Sequence, residues 1–266
     1  MNLRNASAGI DSLERLALED SPIHRLHPRA KLIVTGVYIA AAVSFRSDNL
    51  SGLTAFLLYP AALTALSGTP YKPLLIRLLA ALPFPLMGGG ANLLLMRDAA
   101  FSLGAVSVTA GMLSFASIML KTLLTVFAAL ILISTTSFIE IAHQLTSLGL
   151  PRVVSLQLIL TYRYISVLLD EAGSMFTAYI LRCPDQKGVK MADMGSFLGQ
   201  LILRGFDRAE RVYQAMLCRG FSGEYRGKAV RRFRFWDYAY LAGMTAGIFI
   251  LRFFNLSLFF ASLLRQ

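Results

Sequence analysis

The stretch SFLGQLILRGFDRAERVYQAMLCRGF, residues 196–221, decides how the chain is organised. On a helix, its apolar side chains repeat every three or four residues and form one stripe, while arginines occupy the opposite face. The apolar stripe consists of Leu198, Ile202, Phe206, Ala209, Tyr213 and Met216, and the arginine face of Arg204, Arg208 and Arg211. Asp207 stands four residues before Arg211, a spacing that predicts an ion pair along the helix. Gly220 predicts the end of the helix and leaves Arg219 at its tip.

The composition is that of a polytopic membrane protein. The 266 residues are 56% hydrophobic and only 15% charged, and the mean hydropathy is +0.59. A soluble domain usually carries about 25% charged residues. The formal net charge of +11 mainly sets the topology of a membrane protein and favours contact with anionic lipid of the bilayer. The two cysteines, Cys183 and Cys218, do not predict a disulfide framework.

Charge-poor windows predict an all-α fold with about five transmembrane helices. The windows are Leu32–Phe45, Asn49–Tyr71, Leu78–Met96, a long helix from about Thr109 to Thr136, and Tyr238–Leu264. The segment 99–108 is predicted to be an outer loop. Pro83, Pro85 and three glycines interrupt the third window, which indicates either a kinked helix or a close-packing surface for another membrane subunit.

Two basic residues fall inside these windows. Lys121 is the only charged residue between Ala99 and Ile139, and an intramembrane lysine is a candidate functional residue. Two shorter elements that meet at Lys121 remain an alternative to one long helix. Arg252 lies near enough to the far interface for its long side chain to reach the headgroups.

The same pattern divides the chain into four parts. Residues 1–31 form a cytoplasmic or interfacial segment, 32–139 hold membrane helices one to four, 140–235 form a cytoplasmic helical block between the last two spans, and 236–266 hold the last membrane helix. The basic residues of SPIHRLHPRAKL (21–32) place the N-terminus in the cytoplasm under the positive-inside rule. We therefore predict a multi-pass protein of the plasma (inner) membrane. Inside the cytoplasmic block, helices are expected at about 137–147 and 152–182, followed by the helix of the opening stretch.

No enzyme motif is present in the sequence. HExxH, GxSxG, the Walker A loop and CxxC are all absent. His24 and His27 are three residues apart and could ligate a metal together. Without a carboxylate or thiol cluster beside them, they are interpreted as surface or interface residues. We predict no catalytic residue and no metal ligand in this chain.

Two of the predicted helices end in an arginine, with an alanine four residues earlier and a cysteine beside it. The two sets are Ala178, Arg182 and Cys183, and Ala215, Cys218, Arg219 and Gly220. A small residue on the same face lets a helix seat closely in a groove, where the guanidinium can pair with a carboxylate. A cation is also favourable at any helix C-terminus. Because two helices of one cytoplasmic block end in this way, we interpret these ends as docking sites for a partner and not as ordinary helix ends.

The segment RGFDRAERVYQAMLCRGFSGEY, residues 204–225, resembles the end of the coupling domain in the transmembrane (T) component of energy-coupling factor (ECF) transporters. The resemblance is closest to the cobalt/nickel branch, the CbiQ type, and covers nearly the whole chain. SPIHRLHPRAKL resembles the N-terminal part of that family, and Thr135-Thr136 its paired threonines. The resemblance implies a non-catalytic subunit that couples two ATP-binding cassette ATPases to a substrate-binding membrane subunit. The partners would hydrolyse ATP, and this chain would bind no cofactor.

The resemblance also implies roles for the two arginine ends. In the family, two arginine-centred motifs, usually Ala-Arg-Gly, each dock into a groove on one ATPase. Arg182 and Arg219 are the corresponding residues here. The sequence departs from the pattern because Leu181 and Cys183 flank Arg182, and Cys218 replaces the alanine before Arg219, whereas Gly220 is kept. The second end therefore matches the family more closely than the first.

Other functions remain open from the residues alone. A vitamin could replace cobalt or nickel as the substrate of the same kind of transporter. An integral-membrane enzyme or a stand-alone permease would be expected to carry more ionisable residues at membrane depth than Lys121 and Arg252. A nucleic-acid-binding or lipid-binding hairpin, with the basic segment 226–234 as its surface, is a third alternative. We predict no nucleic-acid partner.

Overall fold

A computed structural model describes residues 17, 21–45, 50–68, 71–95, 99–103, 106–183, 186, 188–223 and 233–253. Within these residues the chain is almost entirely helical, as the sequence predicts. Its contacts divide it into two compact units. The bundle unit comprises the described residues up to Thr136 together with 233–253, and the hairpin unit comprises the described residues of 137–223. The four-part division of the sequence stays a prediction.

The elements follow one another in a simple order. They are α1 (Pro28–Val43), α2 (Leu50–Ala55), α3 (Leu58–Ser67), α4 (Tyr71–Ala81), α5 (Pro83–Leu95), β1 (Ala99–Leu103), β2 (Val106–Thr109), α6 (Ala110–Thr135), α7 (Phe138–Ser147), α8 (Arg152–Arg182), α9 (Met191–Cys218) and α10 (Phe235–Phe253). Helices α7, α8 and α9 form the hairpin unit, and the others belong to the bundle unit. The predicted bounds of α6, α7 and α8 are confirmed to within one or two residues.

Aromatic side chains from α1 and the segment after it, from the break between α2 and α3, and from α3 form the centre of the bundle core. Tyr38 stacks on Tyr59 with ring centroids 4.3 Å apart, and Phe45 meets Phe56 edge to face at 5.0 Å. The Tyr38 hydroxyl donates a hydrogen bond to the Phe56 carbonyl oxygen at 2.9 Å. The same buried cluster includes Val34, Leu53, Leu63, Leu124, Ala128, Ile131 and Ile248. These residues come from several helices, so their close packing ties those helices together through van der Waals contacts.

The third predicted window is a broken helix. Helices α4 and α5 are bent by 42°, and α5 begins at Pro83, a residue that fits the first turn of a helix but not its interior. A Cβ atom added to Gly89 would lie 2.9 Å from Phe115 Cδ2, so this glycine lets α5 approach α6. The predicted kink is therefore present. At Gly89 the close packing is against α6 of the same chain.

The predicted number of spans is only partly matched by the described residues. Two helices there are long and apolar enough to cross a membrane, Gly111–Thr135 and Arg152–Arg182, and the bent pair Lys72–Ala81 and Pro83–Leu93 would add a third. One continuous helix covers Lys121, so the alternative of two shorter elements is wrong. The last window lies partly outside the described residues, and the count of five stays a prediction.

Segment 99–108 is not the loop that was predicted. It contains β1 and β2, which pair antiparallel with Leu103 opposite Val106 and Ala99 opposite Thr109. Valine alternates with serine and threonine in β2, and β-branched residues favour extended backbone. The fold is therefore helical apart from this strand pair.

Both cations of the predicted windows meet the C-terminal end of α1. Lys121 Nζ donates a hydrogen bond to the Phe45 carbonyl oxygen, and Arg252 Nη2 donates to the Ser44 carbonyl oxygen at 3.1 Å. The Arg252 guanidinium also lies over the Phe45 ring, 4.1 Å from its centroid. Carbonyl groups at a helix end lack intrahelical donors and carry partial negative charge. A structural role therefore accounts for Lys121, which the sequence alone marks as a functional candidate.

We expect Lys121→Met to lower the thermal unfolding midpoint of the detergent-solubilised protein. The Phe45 carbonyl would lose a charged donor, at a cost of about 1–3 kcal/mol. Size-exclusion chromatography after stepwise heating measures the midpoint. The matched control is Lys72→Met, which removes an exposed lysine of α4 and should leave the midpoint unchanged. Equal midpoints for the two variants would contradict the proposed capping role.

Candidate docking site

Helices α8 and α9 form a long antiparallel hairpin. They contain 31 and 28 residues, which corresponds to lengths of about 46 and 42 Å. Glu171 of α8 forms an ion pair with Arg204 of α9, and Leu168 approaches Gly205, so the two helices run side by side away from their connecting turn. Arg182 ends α8 beside that turn, whereas Arg219 follows the far end of α9. The two predicted docking arginines therefore lie at opposite ends of α9.

Helix α7 packs along the first half of α8. The Ser155 hydroxyl donates to the Ala142 carbonyl oxygen at 2.5 Å, and Phe138 stacks on Tyr162 with centroids 4.7 Å apart. The turn between these helices uses Gly149, whose φ of +106° suits glycine and strains other residues. Sequence reasoning placed this turn correctly because Gly149 is followed by Leu150 and a proline.

The second arginine end is a glycine-terminated helix end. Gly220 has φ +79°, its N–H donates to the Leu217 carbonyl at 2.9 Å, and the Phe221 N–H donates to the Met216 carbonyl at 3.0 Å. These two hydrogen bonds define a Schellman motif. The glycine that the family pattern keeps is therefore needed by the backbone that presents Arg219.

The first arginine end has a different backbone. Cys183 follows Arg182 with φ −128°, which is outside the left-handed region. Its N–H is shared between the carbonyl oxygens of Tyr179 and Ile180 at 3.0 and 3.2 Å, and its own carbonyl accepts from the Gln186 N–H at 3.1 Å. Cys183 is the C-cap of α8, whereas Arg219 itself is the C-cap of α9, so the two ends of this chain differ in backbone geometry.

The predicted docking residues lie at the surface, and the structure gathers them into two separate sets. Exposed members are Ala178, Arg182, Ala215, Cys218, Arg219 and Gly220, and Cys183 is half-buried. Both cysteines carry free thiols. The roles of these residues in docking stay predictions, but each arginine is free of the core and open to a partner.

The two faces of α9 have different neighbours. The ion pair predicted between Asp207 and Arg211 is not formed, and the pair that is formed joins Arg204 to Glu171 on α8. The arginine face, including the exposed Arg208, lines a polar groove against α8. The apolar stripe lies on the other side and is open, with Ile202 57% and Phe206 69% exposed. An open apolar stripe of this kind marks an interaction surface.

A buried polar cluster, which sequence reasoning missed, joins three helices at one end of the bundle unit. We call it the polar anchor, and it consists of His24, His27, Lys31, Ser134, Thr135 and Asp237. The Asp237 carboxylate is 2% exposed and accepts the His27 N–H at 2.8 Å and the Arg234 N–H at 2.7 Å. Lys31, 3% exposed, donates to the Thr135 carbonyl oxygen at 2.7 Å, and His24 Nε2 lies 3.2 Å from the Ser134 carbonyl oxygen.

The interpretation of the two histidines as surface or interface residues is wrong for His27, which is wholly buried. Its Nδ1 accepts the Arg29 N–H at 3.1 Å, which caps α1, and its ring stacks on Phe233 with centroids 4.2 Å apart. His24 Nδ1 lies 2.7 Å from the Ser21 hydroxyl. Both imidazole rings therefore make contacts that fix the backbone at the start of α1.

One local signal could have identified Asp237. An acidic residue three positions after a helix start can accept the backbone N–H of the capping residue, as Asp237 does with Arg234. Its second partner, His27, is 210 residues away in the sequence and leaves no local signal. Among the residues that the structure describes, no group of three or more His, Cys, Asp or Glu side chains could hold a metal ion.

Comparison with known proteins now identifies the family. The family model described as cobalt transport protein, CbiQ, matches residues 19–229. The chain belongs to this family. The resemblance to the CbiQ type drawn from the sequence is confirmed, and the apolar helices and the family together make the chain a membrane protein of a transport family.

Two relatives of this CbiQ-family chain are informative. It is 28% identical over 244 residues to the energy-coupling factor transporter transmembrane protein EcfT of Listeria innocua, across 83% of this chain and 88% of that protein. It is 32% identical over 117 residues to an uncharacterized protein of Methanocaldococcus jannaschii. That second match spans 43% of this chain and 40% of the relative, less than half of either.

We expect Asp237→Asn to destabilise the bundle unit. An amide has one acceptor oxygen, so its NH₂ group would face a backbone N–H and leave that buried donor unpaired, at a cost of about 2–3 kcal/mol. The thermal unfolding midpoint of the solubilised protein measures the effect. Asp207→Asn makes the same change at an exposed position of α9 and should leave the midpoint unchanged. An Asp237→Asn midpoint equal to wild type would show that the anchor does not depend on the carboxylate.

Proposed function

We propose that this chain is the non-catalytic transmembrane coupling subunit of an ATP-driven importer of the ECF type. It would link two ATP-binding cassette ATPase subunits to a substrate-binding membrane subunit. The observation that carries the proposal is the placement of two exposed arginine ends at opposite ends of α9. The CbiQ family and the similarity to a protein named as an energy-coupling factor transporter transmembrane protein support it.

The two ends suit two docking partners. A guanidinium pairs with a carboxylate through two parallel hydrogen bonds, and each arginine has an exposed alanine four residues earlier that leaves room for the wall of a groove. The length of α9, about 42 Å, is too great for both ends to enter one groove. Each arginine would therefore dock on its own ATPase.

We place the hairpin unit on the cytoplasmic side of the plasma membrane, with the N-terminus also inside. Helix α8 is long and apolar enough to cross a bilayer, but Asp170 and Glu171 stand near its middle. In a spanning helix these carboxylates would lie near the bilayer centre, where charged side chains are costly. In the cytoplasm Glu171 can keep its ion pair with Arg204 and Asp170 can face water.

The hairpin can act as a lever between the ATPases and the membrane partner. ATP binding would draw the two ATPases together and move Arg182 and Arg219 with them. The Glu171–Arg204 ion pair ties α8 to α9, so displacement at an end is carried along the hairpin. The open apolar stripe of α9 would contact the substrate-binding membrane subunit, because that partner is itself apolar and the arginine face is already turned to α8.

We propose cobalt or nickel as the transported substrate, in line with the description of the family. The ion would bind to the partner membrane subunit, as the resemblance to the cobalt/nickel branch implies. A vitamin is the competing substrate class, and metal analysis of the purified complex distinguishes the two.

We expect replacement of either arginine by alanine to abolish the binding of one of the two ATPases. Tagged protein is solubilised from its native membranes, and ATP-binding subunits per chain are counted by quantitative mass spectrometry. Wild type should retain two, Arg182→Ala and Arg219→Ala about one each, and the double variant none, because each end docks separately. Arg234→Ala, which removes an exposed arginine of the bundle unit, is the control.

Two results would overturn the docking assignment. Full recovery of ATPases with the double variant would exclude both arginines. Recovery of the wild-type chain alone, without ATPase activity, would favour a stand-alone permease or a membrane enzyme.

A charge on the apolar stripe should release the membrane partner but not the ATPases. We expect Phe206→Glu to lose the co-purified substrate-binding subunit, because a carboxylate would have to be desolvated in an apolar interface. Gln200→Glu adds the same charge on the opposite side of α9 and should retain the subunit. Loss of the subunit with both variants, or with neither, would contradict the assignment of this stripe.

A further inference from the structure

The turn between α8 and α9 is closed by one side chain. Tyr179 Oη lies 2.6 Å from Asp193 Oδ2 and 2.7 Å from Gln186 Oε1, and the Lys190 N–H donates to it at 3.5 Å. Tyr179 is in the last turn of α8, Asp193 is in the first turn of α9, and Gln186 lies between them. A single phenol therefore connects both helices and two residues between them, Gln186 and Lys190.

The hydrogen-bonding capacity of the phenol matches these three partners. Its one proton is donated best to the Asp193 carboxylate, because a charged acceptor makes the stronger hydrogen bond. Its lone pairs then accept the Lys190 N–H and, with the amide group of Gln186 turned about its axis, the Gln186 NH₂. Phenylalanine at this position would make none of these bonds.

The backbone turns after the two arginines by different means. At Arg219 the chain is turned by Gly220 in the left-handed region, which needs no side chain. At Arg182 the following residue is Cys183, whose φ of −128° gives no such turn. At this end the Tyr179 hydroxyl instead holds Gln186 and Lys190, which follow Arg182 in the chain, against the last turn of α8.

We propose that Tyr179 is the positioning residue for the docking arginine Arg182, a role that rests on the function proposed above. Its hydroxyl fixes the turn from which Arg182 projects and has no part at the Arg219 end. Loss of the hydroxyl should therefore weaken docking of one ATPase and leave the other unaffected.

The test compares two variants, Tyr179→Phe and Thr177→Val. Each is made in the wild-type chain and in the Arg219→Ala chain. Because Arg219→Ala removes docking at one end, ATPase recovered in that background reports on the Arg182 end alone. Thr177→Val also deletes one hydroxyl from the end of α8, but that hydroxyl bonds only within the helix, to the Gly173 carbonyl. ATPase recovered per chain is measured as before, after size-exclusion chromatography has confirmed a folded, monodisperse protein. In the Arg219→Ala background we expect Tyr179→Phe to reduce recovery about three- to tenfold and Thr177→Val to leave it unchanged.

Two further variants separate positioning from direct contact. Tyr179→Phe should add nothing to Arg182→Ala, since both act on one docking event. Asp193→Ala removes the carboxylate partner of the phenol at the start of α9 and should reduce recovery as Tyr179→Phe does, because both variants break one network. Normal recovery with Asp193→Ala beside a defective Tyr179→Phe would overturn the positioning role in favour of a direct contact by the hydroxyl.

The outcomes also distinguish the role of Tyr179 from the docking function on which it rests. Reduced recovery with Arg182→Ala but normal recovery with Tyr179→Phe would overturn the role of Tyr179 alone. Normal recovery with both Arg182→Ala and Arg219→Ala would overturn the docking function itself.

Discussion

The buried carboxylate of Asp237 is the interaction on which the bundle unit depends. It accepts backbone N–H groups from His27 and Arg234, at the starts of α1 and α10, and a buried carboxylate without such partners would be costly. Lys31 ties the end of α6 to α1 in the same cluster.

Helix α1 is held at both ends by polar contacts and along its length by apolar ones. His27 and Lys31 belong to the polar anchor at its start, and Lys121 and Arg252 donate to carbonyls at its other end. The intervening core is aromatic and aliphatic. Of these four residues His27 and Lys31 are buried, and Lys121 and Arg252 are half-buried. They satisfy helix ends that the lipid cannot.

The hairpin unit combines stiffness with two exposed ends. The ion pair between Glu171 and Arg204 and the Tyr179 network tie α8 to α9 at two points, while the apolar stripe and both arginines remain open. The lever proposed for this unit requires contacts between its helices and accessible ends, and both are present among its described residues. The two ends differ in how the backbone turns, by a glycine after Arg219 and by a phenol before Arg182.

The sequence alone determined the local features of this protein, and the tertiary structure decided the long-range ones. Periodicity, Gly149 and Gly220 located α6 to α8, most of α9 and the two arginine ends, because helix formation and helix ends depend on neighbours a few positions away. The sequence did not reveal the Asp237–His27 contact or the role of Lys121, whose partner is 76 residues away. Which segments meet, and hence which polar groups are buried together, is set by the packing of the whole bundle.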